Sequence, residues 1–197
     1  MNINSEILQE MKKNNNMITT SQVLQLGYSK ALLTKYVKAG LLERSGHGVY
    51  ILPDVVNDDM YMLMLRSSKI IFSHDTALFL NGISERTPFR HSVTIPSDSA
   101  LPASIKDNCT CFYIKPELHG LGKIEKKTTF GNTVRCYNIE RTICDFLRSR
   151  NRCDEETVIS AVKNYAAFKE KKLYLLADYA KLLRVENALK RYMEVLL

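Results

Sequence analysis

Residues 19–53, TTSQVLQLGYSKALLTKYVKAGLLERSGHGVYILP, carry the pattern that most constrains how this chain folds. They predict a short helix, a tight turn at Gly27, a second helix from about Ser29 to Ala39, and a two-stranded hairpin. Helix, turn, helix and hairpin in this order are typical of a winged helix-turn-helix. Such a module places its second helix in the major groove of DNA.

Local signals in the first half of this stretch specify the turn. Thr19 and Gln22 have the spacing of a capping box, in which each side chain satisfies a free backbone amide of the first helix. Gly27 suits the left-handed position at the end of that helix, and Ser29 suits the N-cap of the next. The residues predicted to bury the first helix are Val23, Leu24 and Leu26.

The second helix is predicted to be half-buried, with one apolar and one basic face. Its apolar side consists of Leu32, Leu33, Tyr36 and Val37. Its outer side carries Lys30, Thr34, Lys35 and Lys38, without a carboxylate. Gly40 ends the helix, and we expect strands at 41–44 and 49–52 joined by a glycine-rich turn.

We expect DNA contacts from this outer face and from the hairpin, which would form the wing. The candidate DNA-binding residues are Ser29, Lys30, Thr34, Lys35, Lys38, Arg44 and His47. The outer face has no Arg, Asn or Gln, which are the best bidentate readers of guanine and adenine edges. The affinity is therefore expected to depend largely on phosphate electrostatics, with specificity from DNA shape or from two half-sites.

The charge of the chain is consistent with a polyanionic partner. The net charge is +7 and the pI about 9.1. Residues 1–52 have six basic and three acidic side chains, and residues 150–197 have ten and seven, so the basic excess lies towards the two ends. The five cysteines form no zinc-binding pattern, and no signal peptide is evident, which favours a cytoplasmic protein with reduced thiols.

The polar stretch 54–59 predicts a domain boundary, with a DNA-binding domain over 1–56 and a second domain over 57–197. Short strands are predicted at 69–72, 92–96 and 109–115, and a hairpin at 123–130 and 133–137. From residue 138 onwards the pattern is helical. The predicted fold class is therefore α+β, a winged helix-turn-helix followed by a mixed α/β domain with a helical C-terminal bundle.

Enzymatic readings have little support in the sequence. The common nucleophile, P-loop and dinucleotide motifs are absent, so we expect no enzyme, no cofactor and no metal. Glu125-Lys126-Lys127 resembles half of a metal-dependent nuclease motif, for which Asp98 or Asp107 would have to supply the missing carboxylate.

Several other charged residues have simpler interpretations. His74 is expected to pack locally at a helix start. Arg141 and Asp145, four residues apart on a helix, are expected to form a surface pair of small energetic value. The basic clusters at Lys169–Lys172 and Lys190-Arg191 either extend a phosphate-contacting surface or are simply solvated.

The order of short motifs along the chain resembles the AbiEi family, the antitoxins of AbiE-type abortive-infection (type IV) toxin–antitoxin systems. The matching pieces are the winged helix with GHGVY at 46–50, FSHDTAL at 72–78 followed by Gly82, VTIP at 93–96, and ERTICD at 140–145.

The resemblance implies two activities. Members of that family repress their own operon by binding inverted repeats in its promoter, and they counter a nucleotidyltransferase-like toxin without forming a stable complex with it. The family's second domain is implicated in antitoxin activity and also supports repression. We expect a monomer in solution and two copies on DNA, because no apolar helix here demands a dimer. The rival interpretation is a winged helix that binds a protein partner.

Overall fold

The computed structural model describes residues 2–46, 48–56, 58–84 and 86–196. Within these residues the chain forms eleven α-helices and two β-sheets, of three and five strands. The predicted α+β class is thus confirmed. Two compact units make up the chain, residues 1–68 with 127–133 and residues 69–126 with 134–197. The functional division at residue 56 stays a prediction.

The first unit combines four helices with the three-stranded sheet. The helices are α1 (Ser5–Lys13), α2 (Thr20–Gln25), α3 (Lys30–Lys38) and α4 (Asp59–Arg66). The strands are β1 (Met17–Thr19), β2 (Glu43–Gly46) and β3 (Val49–Ile51), and β3 lies in the middle with both neighbours antiparallel. The sequence did not predict β1, and it placed the start of β2 two residues too early.

Alternation along the strands gives this sheet two apolar faces. Ile18 and Tyr50 face a core shared with Ile7 of α1 and Leu33 of α3. The alternate residues of the strands, among them Val49, point to the other face of the sheet and pack against α4. The sheet therefore lies between α1–α3 and α4, which explains why α4 belongs to the first unit rather than to the second.

A buried carboxylate attaches the segment 127–133 to the same unit. Asp58 is 3% exposed and caps α4 by accepting from Tyr61 N at 3.1 Å. Its other oxygen accepts from Thr128 Oγ1 at 2.5 Å and from Asn132 Nδ2 at 2.8 Å. One carboxylate thus satisfies three donors that are far apart in the sequence.

The five-stranded sheet of the second unit has the order β6-β5-β4-β8-β7. Its strands are β4 (Ile71–Phe72), β5 (His91–Pro96), β6 (Cys109–Ile114), β7 (Lys123–Lys127) and β8 (Thr133–Tyr137). The β4–β5 pair is antiparallel, whereas β4–β8 and β5–β6 are parallel. The strand β6 is an edge strand.

Seven helices surround this sheet. They are α5 (His74–Leu80), α6 (Ala103–Lys106), α7 (Pro116–His119), α8 (Ile139–Arg148), α9 (Glu155–Ala167), α10 (Leu173–Leu182) and α11 (Glu186–Leu196). The helical C-terminal part is as predicted, but α6 lies in a segment expected to be a loop. The central helix is α8, which packs against α5, α9 and α10 and is buried from Glu140 to Leu147.

The expectation of a surface pair at Arg141 and Asp145 is wrong. Both side chains are 0% exposed, and Arg141 Nε lies 3.1 Å from Asp145 Oδ2. Arg148 Nε approaches the other carboxylate oxygen at 3.6 Å. The i,i+4 spacing indicated the pair correctly, but the burial results from the helices and strands that pack around α8.

His74 packs locally, as predicted, and it does so in an unusual setting. It is fully buried, has a φ of +46°, and stacks on Phe112 with 3.5 Å between ring centroids. Its Nδ1 lies 3.0 Å from Ser73 Oγ. The Ser73 hydroxyl contacts this ring and makes no capping hydrogen bond to the helix. Burial, reinforced by the charge of Arg148, lowers the pKa of His74 to about 3.

Candidate nucleic-acid interface

Local chemistry positions α2 and α3 as the sequence predicts. The capping box at Thr19 is present, with Thr19 N donating to Gln22 Oε1 at 2.8 Å and Gln22 N donating to Thr19 Oγ1 at 3.2 Å. Gly27 has a φ of +82°, a left-handed conformation that glycine adopts without strain. The start of α2 and the turn after it are therefore both encoded by nearby residues. One expectation fails, because Leu24 is 55% exposed instead of buried.

The two faces of α3 separate as expected. Leu33 and Tyr36 are buried, and the Tyr36 hydroxyl accepts a hydrogen bond from Asn4 N at 2.9 Å, which ties α1 to α3. The outer face is solvent-exposed and consists of Lys30, Ala31, Thr34, Lys35 and Lys38. Ser29 occupies the N-cap position without a side-chain capping bond, and it too is exposed.

The β2–β3 hairpin adds one predicted cation and one that the sequence did not reveal. Arg44 is exposed, and its Nε donates to Gly46 O at 3.3 Å. A Cβ at Gly46 would lie only 2.9 Å from Arg66 Nε, so the end of α4 brings a second guanidinium against the hairpin. No local signal at Arg66 predicts this contact, because it joins residues twenty positions apart. His47 lies outside the described residues.

The C-terminal basic clusters are largely engaged within the protein. Lys171 Nζ donates to Ala166 O at 2.8 Å and to Phe168 O at 3.2 Å, at the end of α9. Lys190 Nζ lies 3.8 Å from Glu194 Oε1. Glu194 offsets the charge of Lys190, whereas the carbonyl bonds of Lys171 fix its position and leave its charge in place.

The described residues offer little to a metal-dependent or membrane-spanning alternative. Across those ranges no group of three His, Cys, Asp or Glu side chains has an arrangement that could hold a metal ion. Glu125, the carboxylate of the nuclease-like triplet, is exposed on β7. Within the same residues, no helix has the length and apolar character that crossing a bilayer requires.

An exposed basic helix on a small α+β fold is typical of proteins that bind nucleic acid. Comparisons with known proteins point to a more specific family. Residues 5–53 match the family model described as "Transcriptional regulator, AbiEi antitoxin". This match confirms the resemblance to the AbiEi family, and it covers α1 to the end of the hairpin. No curated protein matches the chain.

Comparison with solved structures shows a likeness over most of the chain. The RV2827C protein from Mycobacterium tuberculosis superposes with a TM-score of 0.54, over 94% of this chain and 80% of that one, at 12% sequence identity. At this identity the likeness concerns the fold alone. It extends well beyond the segment that the family model matches.

Proposed function

We propose that residues 1–56 act as a winged helix-turn-helix that binds promoter DNA and represses the protein's own toxin–antitoxin operon. The observation that supports this most is the exposed face of α3, where Lys30, Lys35 and Lys38 occur without a carboxylate. The match of residues 5–53 to a family of transcriptional regulators supports it independently.

In this proposal α3 enters the major groove, with Thr34, Lys35 and Lys38 towards the bases and Lys30 towards the backbone. Ser29, at the exposed N-cap, is placed for a phosphate contact, because free amides at a helix N-terminus favour anions. The hairpin acts as the wing, with Arg44 and His47 reaching phosphate or the minor groove.

A mobility shift on the DNA immediately upstream of the gene tests the proposal. We expect sequence-selective binding by the wild type and its loss in Lys35→Ala/Lys38→Ala. The matched control is Lys12→Ala/Lys13→Ala, which removes the same charge from exposed positions of α1 in the same unit. Equal loss in the two double variants would mean that net charge, rather than the α3 face, determines binding.

We further propose that the operator is an inverted repeat filled by two copies of a protein that is monomeric in solution. Sedimentation at micromolar concentration should give a single monomeric species, and a stable free dimer would contradict this. A promoter–reporter fusion measures autorepression, which the Lys35→Ala/Lys38→Ala variant should relieve.

The antitoxin activity is assigned to residues 57–197, acting against a nucleotidyltransferase-like toxin without a stable complex. This assignment extends the family resemblance, which implicates the second domain in antitoxin activity. The Lys35→Ala/Lys38→Ala variant should still rescue cells that express the cognate toxin, since the two activities lie in different domains. Loss of rescue in a folded variant would contradict that separation, and a stable co-purifying pair would favour the interaction-module alternative.

A further inference from the structure

The edge of the five-stranded sheet is covered by two arginines. β6 is an edge strand, and an edge strand presents unpaired backbone groups. Arg152 Nη2 donates to Cys111 O at 3.1 Å, and Arg148 Nη1 donates to Tyr113 O at 3.2 Å. The two guanidinium groups therefore lie along the edge of β6 at consecutive outward carbonyls.

These contacts fix the arginines without using all their donors. A guanidinium has five N–H groups, and Arg152 uses one of them on the carbonyl. Its guanidinium carbon lies 4.8 Å from the Phe112 ring centroid. Arg148 is also held from behind by Asp145 Oδ1 at 3.6 Å, and its side chain is 28% exposed. Arginines held in this way are pre-organised for an anion, because little side-chain entropy is lost on binding.

Two clefts open beside this edge and share a wall. One, of about 490 Å³, is lined by Tyr113, Lys115, Arg148 and Arg184 among others. The second, of about 270 Å³, is lined by Tyr113, Arg148 and Arg152 among others. Because Tyr113 and Arg148 line both, the two clefts lie next to each other along the same edge.

The two clefts have a cationic and aromatic lining. We call the surface made by Tyr113, Arg148, Arg152 and Arg184 the edge cleft. Glu117 also lines the larger cavity, where it lies 3.9 Å from Lys115 Nζ. Tyr113, which lies within β6, is 39% exposed, so its ring is accessible to a ligand.

We propose that the edge cleft binds single-stranded nucleic acid, with a base stacked on Tyr113 and successive phosphates on Arg184, Arg148 and Arg152. An aromatic face between spaced cations matches a polymer that alternates bases and phosphates. This goes beyond the proposed function, which places double-stranded DNA on α3 in the first unit. A mononucleotide would occupy one of the two clefts, whereas two adjacent clefts that share Tyr113 and Arg148 fit neighbouring nucleotides of a strand.

The test uses the full-length protein and fluorescein-labelled single-stranded RNA and DNA of mixed sequence, followed by anisotropy at low and moderate salt. Tyr113→Leu removes the stacking ring, and Arg184→Glu reverses an exposed charge. Their matched controls are Tyr174→Leu and Lys181→Glu, exposed positions of α10 that line neither cavity. Circular dichroism melting verifies that each variant is folded.

We expect Tyr113→Leu to weaken binding by about fivefold or more, the effect of losing one stacked base. Arg184→Glu should weaken it by about tenfold at low salt and less at higher salt. Each control should change it by less than about twofold, the size expected of a remote surface substitution. The Lys35→Ala/Lys38→Ala variant should bind single strands as the wild type does, which separates this proposal from the DNA-binding function of α3.

Other outcomes would overturn the proposal. The first is that the protein binds neither the RNA nor the DNA probe. The second is that Lys181→Glu and Arg184→Glu weaken binding of the probes equally. The third is that AMP displaces the probe at the same concentration as an unlabelled oligomer does. Equal affinity for RNA and DNA would support recognition of base and phosphate alone. A preference for RNA would support the proposal and add a contact to the 2′-hydroxyl.

Discussion

Replacing Arg141 by Met should remove much of the stability of the second unit. Arg141 Nη1 donates to Leu118 O at 2.9 Å and to Leu121 O at 2.8 Å, and its guanidinium carbon lies 4.2 Å from the Tyr137 ring centroid. Its Nε holds Asp145 at 3.1 Å. One buried cation thus joins α8, the loop after α7 and strand β8.

The magnitude follows from what the substitution leaves behind. Leu121 O, which is partly buried, loses its donor, at a cost of about 1–3 kcal/mol, whereas Leu118 O still accepts from Leu121 N at 3.2 Å. Breaking a buried ion pair by removing one partner costs about 3–5 kcal/mol. Arg148 still neutralises Asp145 in part, and Met fills part of the space, so these costs do not simply add. We expect a loss of about 4 kcal/mol, a large share of the 5–15 kcal/mol of a typical domain.

Urea unfolding followed by far-ultraviolet circular dichroism measures this loss. With a slope of about 2–3 kcal/mol per molar urea, a loss of about 4 kcal/mol lowers the midpoint by about 1.3–2 M. The control is Arg191→Met, which removes an exposed arginine from α11. If both variants unfold at the same midpoint, the buried pair does not stabilise the fold as argued.

Three further substitutions test other parts of the structure. His74→Asn should reduce the loss of stability on acidification, because the pKa of His74 is about 3 in the folded protein against 6.5 in the unfolded chain. The stabilisation is complete well above pH 6.5 and is lost as the pH falls towards 3, by about 3 kcal/mol at pH 4.5. Thr19→Ala should cost about 1 kcal/mol through loss of the capping box, read as a lower melting temperature. Asp58→Ala should cost about 2–4 kcal/mol in urea unfolding, because Thr128 Oγ1 and Asn132 Nδ2 lose their buried acceptor.

Each of these has a control. The control for His74→Asn is Asn108→Ala at an exposed position, whose free energy of unfolding should depend on pH as in the wild type. If the stability of His74→Asn also keeps the wild-type pH dependence, the argument from the burial of His74 is contradicted. Exposed Ser21→Ala in α2 is the control for the cap. Exposed Asp59→Ala is the control for Asp58, and equal effects of the two would mean that the buried acceptor is unimportant.

The parts of the fold predicted well are those encoded by neighbouring residues. The α2–α3 turn is an example, because the capping box and Gly27 act within a few positions of the chain. Strand β1 was missed since Met17–Thr19 is too short to show alternation and becomes a strand only by pairing with β3. The burial of Arg141 was missed for the same reason, as its partners at Leu118 and Leu121 are distant in sequence.

The residues of the candidate interface likewise fall into those that the local sequence predicts and those that it does not. Helical periodicity sufficed to place Lys30, Thr34, Lys35 and Lys38 on one exposed face of α3. Arg66 could not be assigned to the hairpin, because its position depends on α4 packing against the second face of the small sheet. That these residues contact DNA stays a prediction.

The most direct test of the central claim is the salt dependence of binding to the upstream DNA. The affinities of the wild type, Lys35→Ala/Lys38→Ala and Lys12→Ala/Lys13→Ala would be measured over a range of salt concentrations. If Lys35 and Lys38 each neutralise a phosphate, their removal lowers the slope of log affinity against log salt by about 2, whereas the control keeps the wild-type slope. A slope that is unchanged in Lys35→Ala/Lys38→Ala would show that α3 does not lie on the DNA.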